Sequence, residues 1–194
     1  MKLRALIESV PPLDGERMVA GLSSDSRRIK KDFAFFALAG SKAHGAHYIR
    51  DALAQGASAI IAEGEKPVDF PDNVAYISTD DARLSLAQAA ARFYPRQPKN
   101  VVAVTGTAGK SSVADFTRQI FSKAGLRAAS IGTIGITRED RIDYGALTTP
   151  DPVSLHKILQ ELCDEGITHL AMEASSHGLD QKRLDGVQLT AAAF

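Results

Sequence analysis

The residues best equipped for chemistry lie in one short stretch, residues 101–112, which read VVAVTGTAGKSS. Gly106 and Gly109 let the backbone turn its N–H groups toward an anion with no Cβ in the way. Lys110 supplies a mobile positive charge for the β- and γ-phosphates of a nucleotide, and Ser111 carries a hydroxyl suited to Mg²⁺. Residues 101–105 form a β-branched run of the kind found in buried strands, and residues 112–124 read as a helix ended by Gly125. The loop therefore sits at a helix N-terminus, whose unpaired amides and dipole favour phosphate. This reading makes Gly106, Thr107, Ala108, Gly109, Lys110, Ser111 and Ser112 a site for ATP, with Mg²⁺ as its metal. The match to the general phosphate-loop pattern is incomplete, because Val104 stands where the first glycine belongs. A glycine-rich turn with a solvated lysine is the bland alternative; the order strand, loop, Lys-Ser, helix weighs against it.

A second group follows. Glu173 ends the apolar run Leu170-Ala171-Met172. Ligands of open parallel sheets gather at the carboxyl ends of strands, so a carboxylate there can reach a metal beside the phosphate loop. Lys110 and Glu173 are the candidate catalytic residues, and Ser111 and Glu173 the candidate metal ligands. Thr148 and Thr149 precede a helical stretch, where hydroxyls commonly cap backbone donors. Ser175, Gln181 and Arg183 fall in a polar loop. Arg183 can make forked hydrogen bonds to phosphate or carboxylate, although a surface arginine is ordinarily just solvated. His177 reads as a local hydrogen-bonding residue, and His44 and His47 lack the further ligands a metal pair needs.

Helices and strands alternate through the elements that must position these groups. In the first part, residues 2–10 have helical spacing, residues 33–38 (FAFFAL) read as a strand, residues 46–55 as a helix stopped by Gly56, and residues 57–62 and 73–78 as strands. Thr79 or Asp80 is placed to cap a helix ending near Tyr94. Two prolines in the stretch YPRQPKN (94–100) disfavour helix and mark a linker. Beyond it, residues 128–132, 168–173 and 189–194 read as further strands, the last one buried. Residues 137–146 form a polar excursion, and a helix opens at Asp151-Pro152 and runs to Gly166. The fold class expected is α/β: a small N-terminal α/β domain over residues 1–97, then a phosphate-loop, parallel-sheet domain over residues 98–194.

The bulk composition narrows the class. The 194 residues carry 23 basic and 23 acidic side chains, so a broad electrostatic footprint for nucleic acid is not expected. Cys163 is the sole cysteine, which fits a reducing, cytoplasmic setting. Glu8 interrupts a short apolar N-terminal stretch, so neither a signal peptide nor a membrane partner is expected.

Four motifs in order carry a resemblance. TGTAGKSS, Gly132-Thr133-Ile134-Gly135, Thr148-Thr149-Pro150-Asp151 and the stretch from Met172 to Arg183 together resemble the Mur ligase family, in particular its third-amino-acid-adding branch (MurE type). The resemblance extends from about Ser24 to the last residue. It implies an ATP-dependent amide ligase of peptidoglycan synthesis, acting on UDP-N-acetylmuramoyl-L-alanyl-D-glutamate and a free diamino acid, meso-diaminopimelate or else L-lysine. It implies Glu173 as a metal ligand. It also implies Thr148, Thr149, Ser175, Gln181 and Arg183 as contacts to the UDP-muramyl-dipeptide. In the first domain, Ser24-Asp25-Ser26-Arg27 and Gly40-Ser41-Lys42-Ala43-His44-Gly45 resemble the family's uridine-nucleotide segments, which puts Ser24, Ser26, Ser41, Lys42 and Ala43 at the substrate. Ala108 replaces the family's usual Asn, and Ser24 its usual Leu. The family continues past this point into further metal-ligating residues and a C-terminal domain. The second domain is therefore expected to be truncated, and the chain alone is expected to be a monomer that cannot complete the reaction. A nucleotide-binding module without chemistry of its own, or another Mur or folylpolyglutamate-type ligase, are the alternatives.

Overall fold

The computed structural model describes residues 1–40, 45–144 and 148–194. The chain divides into two compact units, Met1–Phe93 and Tyr94–Phe194. The division falls where the proline-flanked linker begins.

In the first unit, helix α1 (Leu3–Leu6) is followed by strands β1 (Gly21–Ser23), β2 (Phe33–Ala37), β3 (Ala59–Ala62) and β4 (Ala75–Ser78). They form a parallel sheet in the order β1-β2-β3-β4. Helix α2 (Ile49–Ala54) makes the crossover from β2 to β3, and helix α3 (Ala82–Phe93) follows β4. Phe35, Ile60, Ala62, Ile49 and Ala52 share one apolar cluster, so the strand and helix patterns meet in one core. Two details depart from expectation. The first helix is one turn long, since residue 7 already has extended backbone. The cap of α3 is Asp81, whose Oδ1 accepts the Leu84 amide at 2.8 Å. Thr79 instead turns the chain one step earlier, taking the Asp81 amide at 3.3 Å.

The second unit runs β5 (Asn100–Val104), α4 (Lys110–Lys123), β6 (Ala128–Gly132), β7 (Gly135–Thr137), β8 (Ile142–Tyr144), α5 (Pro152–Asp164), β9 (His169–Glu173), α6 (Ser176–Asp180) and β10 (Ala191–Ala193). Its six strands lie in the order β10-β5-β9-β6-β7-β8. The first four are parallel, and β7 and β8 extend the sheet as an antiparallel hairpin. Val101, Ala103, Ile131, Leu170 and Met172 meet the buried leucines of α5 in one core. Asp151 starts α5, its Oδ1 accepting the amides of Val153 and Ser154 at 3.1 Å each, with Pro152 in the first turn.

The polar excursion at 137–146 is therefore partly sheet: residues 135–137 and 142–144 pair across a tight turn. Strands of three residues are too short to show an alternating pattern. The last strand pairs in parallel with β5 as its parallel reading requires, but residues 191–194 are exposed rather than buried. Apolar composition does not distinguish an edge strand from a central one.

Candidate functional site

The phosphate loop is built by local sequence. Strand β5 delivers the chain into Thr105, and α4 takes it up at Lys110. Gly106 has φ +138° and Gly109 φ +77°, conformations that side chains with a Cβ rarely adopt. Gly109 is the N-cap of α4 and makes no side-chain cap bond; the first helical hydrogen bond runs from the Val113 amide to the Gly109 carbonyl at 2.9 Å. The amides of Lys110, Ser111 and Ser112 thus form the open end of a fourteen-residue helix. Thr107, Ala108 and Gly109 are exposed, and Lys110 and Ser111 are half-buried. The Lys110 ammonium folds back and donates to the Gly106 carbonyl at 2.7 Å, which closes the loop around its own cation. Ala108 presents only a methyl group where an amide side chain could have reached a nucleotide.

Sheet register brings Glu173 to this loop. Glu173 pairs with Val104, the last residue of β5, and the Ala174 amide donates to the Val104 carbonyl at 2.8 Å. The Glu173 side chain is 2% exposed. Its Oε1 accepts the Thr133 amide at 2.8 Å, and its Oε2 lies 3.4 Å from the Thr133 hydroxyl. Ser111, Asp115, Ser130, Gly132, Thr137 and Glu173 line a cavity of about 20 Å³. That is room for roughly one water or one bare ion. Among the described residues, no group of three or more His, Cys, Asp or Glu side chains could hold a metal ion. A hydroxyl and a carboxylate on one cavity suit Mg²⁺, which takes one or two protein oxygens and fills its sphere with phosphate oxygens and water.

A hydrogen-bonded knot adjoins the carboxyl end of β9. The Thr148 hydroxyl lies 3.0 Å from that of Thr133. Thr149 is 1% exposed; its hydroxyl donates to the Glu173 carbonyl at 3.2 Å, accepts the Ser175 amide at 3.1 Å and lies 3.0 Å from the Ser175 hydroxyl. Ser175 in turn caps α6, taking the Gly178 amide at 3.0 Å. Arg183 donates to the Thr149 carbonyl at 2.8 Å, and Gln181 to Asp180 at 2.8 Å. The two threonines therefore do not cap α5, which Asp151 does. They tie the segment before α5 to the ends of β6 and β9. Gly132 and Thr133 stand out in sequence only as part of a motif; their contact with Glu173 shows why the motif pairs a glycine with a hydroxyl.

In the first unit, Ser24 is exposed just past β1, and Ser26 is 8% exposed at the start of a 3₁₀ turn, Ser26–Arg28. Asp25 caps this turn, its Oδ1 accepting the Arg27 amide at 3.0 Å. The Arg27 guanidinium also holds the Asp25 carboxyl below its usual range, chiefly by direct hydrogen bonding. Ser41, Lys42 and Ala43 lie outside the described residues.

An open glycine loop feeding a helix at the carboxyl edge of a mainly parallel sheet, with a buried carboxylate beside it, makes the second unit a phosphate-loop α/β domain. The sequence pattern described as Mur ligase family, catalytic domain, matches residues 18–94, and that described as Mur ligase middle domain matches residues 104–194. The chain belongs to the Mur ligase family. It is 60% identical over 176 residues to the UDP-N-acetylmuramoyl-L-alanyl-D-glutamate--2,6-diaminopimelate ligase of Rhizobium meliloti (strain 1021), covering 91% of this chain and 36% of that protein. It is 57% identical over 197 residues to the ligase of the same name from Chelativorans sp. (strain BNC1), covering 100% of this chain and 40% of that protein. A solved structure of a UDP-N-acetylmuramoyl-L-alanyl-D-glutamate--2,6-diaminopimelate ligase superposes with a TM-score of 0.84 at 28% identity, over 99% of this chain and 39% of that one. A MurF ligase from Thermotoga maritima in complex with ADP shares the fold at a TM-score of 0.54 and 19% identity, over 89% of this chain and 36% of that one. The chain thus spans about 40% of the length of the relatives it matches.

Proposed function

We propose that the chain serves an ATP-dependent ligase that joins meso-diaminopimelate to UDP-N-acetylmuramoyl-L-alanyl-D-glutamate in peptidoglycan synthesis, in the cytoplasm. The observation that carries this reading is the placement of Glu173 opposite Val104, with Glu173 and Ser111 on one cavity at the mouth of an open phosphate loop. The names of the similar relatives, both UDP-N-acetylmuramoyl-L-alanyl-D-glutamate--2,6-diaminopimelate ligases, support the substrate and the choice of diaminopimelate over lysine.

In the proposed reaction, a D-glutamyl carboxylate oxygen attacks the γ-phosphorus of ATP, and ADP leaves. The amine nitrogen then attacks the resulting acyl phosphate at carbon, and phosphate leaves with formation of the amide. The protein's part is mainly to position the reactants and stabilise their charge. The open amides of residues 106–112 cradle the β- and γ-phosphates. Lys110 exchanges the Gly106 carbonyl for phosphate oxygen. Ser111 and Glu173 would hold Mg²⁺, which neutralises charge developing on the transferred phosphoryl group. Thr148, Thr149, Ser175, Gln181 and Arg183 serve the muramyl-peptide part of the substrate. In this reading Thr149 and Ser175 act by shaping the pocket, because their hydroxyls are engaged internally. Residues 1–97 form the uridine-nucleotide domain, with Ser24, Ser26 and residues 41–43 as its contacts, and residues 98–194 belong to the ATP-binding domain.

Calorimetric titration of the chain with Mg-ATP, UDP-muramyl-dipeptide and folate tests the reading. Binding of the first two and none of folate is expected. Folate binding, or failure to bind the muramyl nucleotide at millimolar concentration, would overturn it.

A further inference from the structure

The hairpin β7–β8 is poorly built to stand alone. Each strand has three residues, and the Arg138 amide bonds the Arg141 carbonyl at 2.9 Å across the two-residue loop Glu139-Asp140. Neither loop residue has positive φ. The turns that match strand twist in two-residue hairpins require positive φ, and other turns splay the strands. A hairpin this short is marginal without further support.

Its inner strand pairs with β6, and at its turn end the hairpin is held by one side chain. Arg138 is 8% exposed and forks onto Glu165, with Nε to Oε2 at 2.6 Å and Nη2 to Oε1 at 3.1 Å. Its Nη1 reaches Asp143 of β8 at 2.6 Å. Arg141 adds a bond to Glu165 Oε1 at 2.8 Å. Glu165 lies just past the end of α5. One guanidinium therefore ties both strands of the hairpin to the far end of α5. Burial opposes its charge, yet the bonds to Glu165 and Asp143 more than offset this, and hydrogen bonding to Arg138 holds the Glu165 carboxyl below its usual range.

The hairpin and α5 also wall a cavity of about 340 Å³ that includes Gly132, Ile136, Tyr144, Pro150, Asp151 and Ile158. β7 is only three residues long, so the clamp at Arg138 and the turn at 132–134 are its two ends, about 10 Å apart at strand rise. That turn holds Glu173 through the Thr133 amide and meets Thr148 through the Thr133 hydroxyl. We propose that Arg138 is a positioning residue of the nucleotide site, acting through β7 to hold the Thr133 amide on Glu173. Its influence on the site is transmitted by strand register, not by contact with a ligand.

Hydrogen exchange of the Thr133 amide, set against that of Leu170 in the central strand β9, is the direct readout, and Mg-ATP affinity by calorimetry the functional one. Only the second rests on the proposed function. In Arg138→Ala, Thr133 exchange should accelerate at least tenfold more than Leu170 exchange, and Mg-ATP affinity should fall about tenfold. Arg138→Lys, which keeps the charge but loses the fork, should fall between wild type and alanine. The exchanged pair Arg138→Glu with Glu165→Arg should recover part of the protection. If Arg138→Ala does not fold, Glu165→Gln carries the same test at nearly constant volume. Equal acceleration at Thr133 and Leu170, or an unchanged Thr133, overturns the proposal. A wild-type chain that fails to bind Mg-ATP would overturn the functional reading, while the exchange ratio still decides this one.

Discussion

Gly132 and Glu173 face each other so closely that any Cβ at position 132 would force the Glu173 side chain to shift: it would lie 2.7 Å from the Glu173 carboxyl carbon and 2.9 Å from its Cγ. The carboxylate is fully enclosed there, and the adjoining Thr133 amide is its donor. The glycine is required for the space it leaves, because its φ is one that any residue adopts.

Gly132→Ala should therefore push Glu173 out of its seat. Overpacking at such a position costs about 1–3 kcal/mol. Mg-ATP affinity should fall further than stability loss alone explains, since the displaced carboxylate is the proposed metal ligand. Urea unfolding and calorimetry on the same variant separate the two effects. Unchanged affinity would show that Glu173 does not serve the nucleotide site in this position.

Lys110→Ala removes the cation from the loop but leaves the glycine conformations intact. Hydrogen bonds to charged groups contribute about 1.5–3 kcal/mol, so Mg-ATP affinity should weaken roughly ten- to a hundredfold. The unfolding midpoint should change little, because among the described residues the Lys110 ammonium bonds only the Gly106 carbonyl of its own loop. Wild-type affinity in this variant would show that the loop does not bind phosphate through Lys110.

Thr149→Val keeps the shape of a buried side chain and deletes the hydroxyl that links Glu173 and Ser175. Leaving buried partners unsatisfied costs about 1–3 kcal/mol. Thr149→Ser should recover most of it. Equal stability of the valine and wild-type proteins in urea would mean that the knot at the end of β9 contributes nothing.

His156 gives the second unit a pH dependence. It is 2% exposed on α5, and its Nε2 lies 3.3 Å from the Asp185 carbonyl. Burial lowers its pKa from the ordinary 6.5, only partly opposed by the bond to Asp185. As pH falls below 6.5, the unfolded chain takes up a proton that the folded one resists, so stability falls. It is restored as pH rises above that value. Urea midpoints between about pH 7.5 and 5.5 should decline in wild type and decline less in His156→Gln. Parallel declines in the two proteins would remove His156 as the cause.

Much of this molecule was determined by short-range sequence. The α/β alternation, the loop at 106–109 and the cap at Asp151 each depend on a few adjacent residues whose backbone preferences agree, so each is legible without the fold. Glycine at positive φ before Lys110 is such a case: its conformational freedom is a property of the residue itself. The hairpin β7–β8 was not legible in this way. Its strands are three residues each, and the clamp that holds them joins Arg138 to Glu165, 27 positions away. The same holds for Thr149, whose hydroxyl suits a helix cap by local rules but is drawn instead to the end of β9. Only the sheet order, with β9 inserted between β5 and β6, sets Glu173 beside the phosphate loop and against Gly132. The physical reason is range. Backbone preference and capping act over three or four residues, whereas the burial of a carboxylate depends on which distant strand supplies its neighbours, and packing of the whole core decides that.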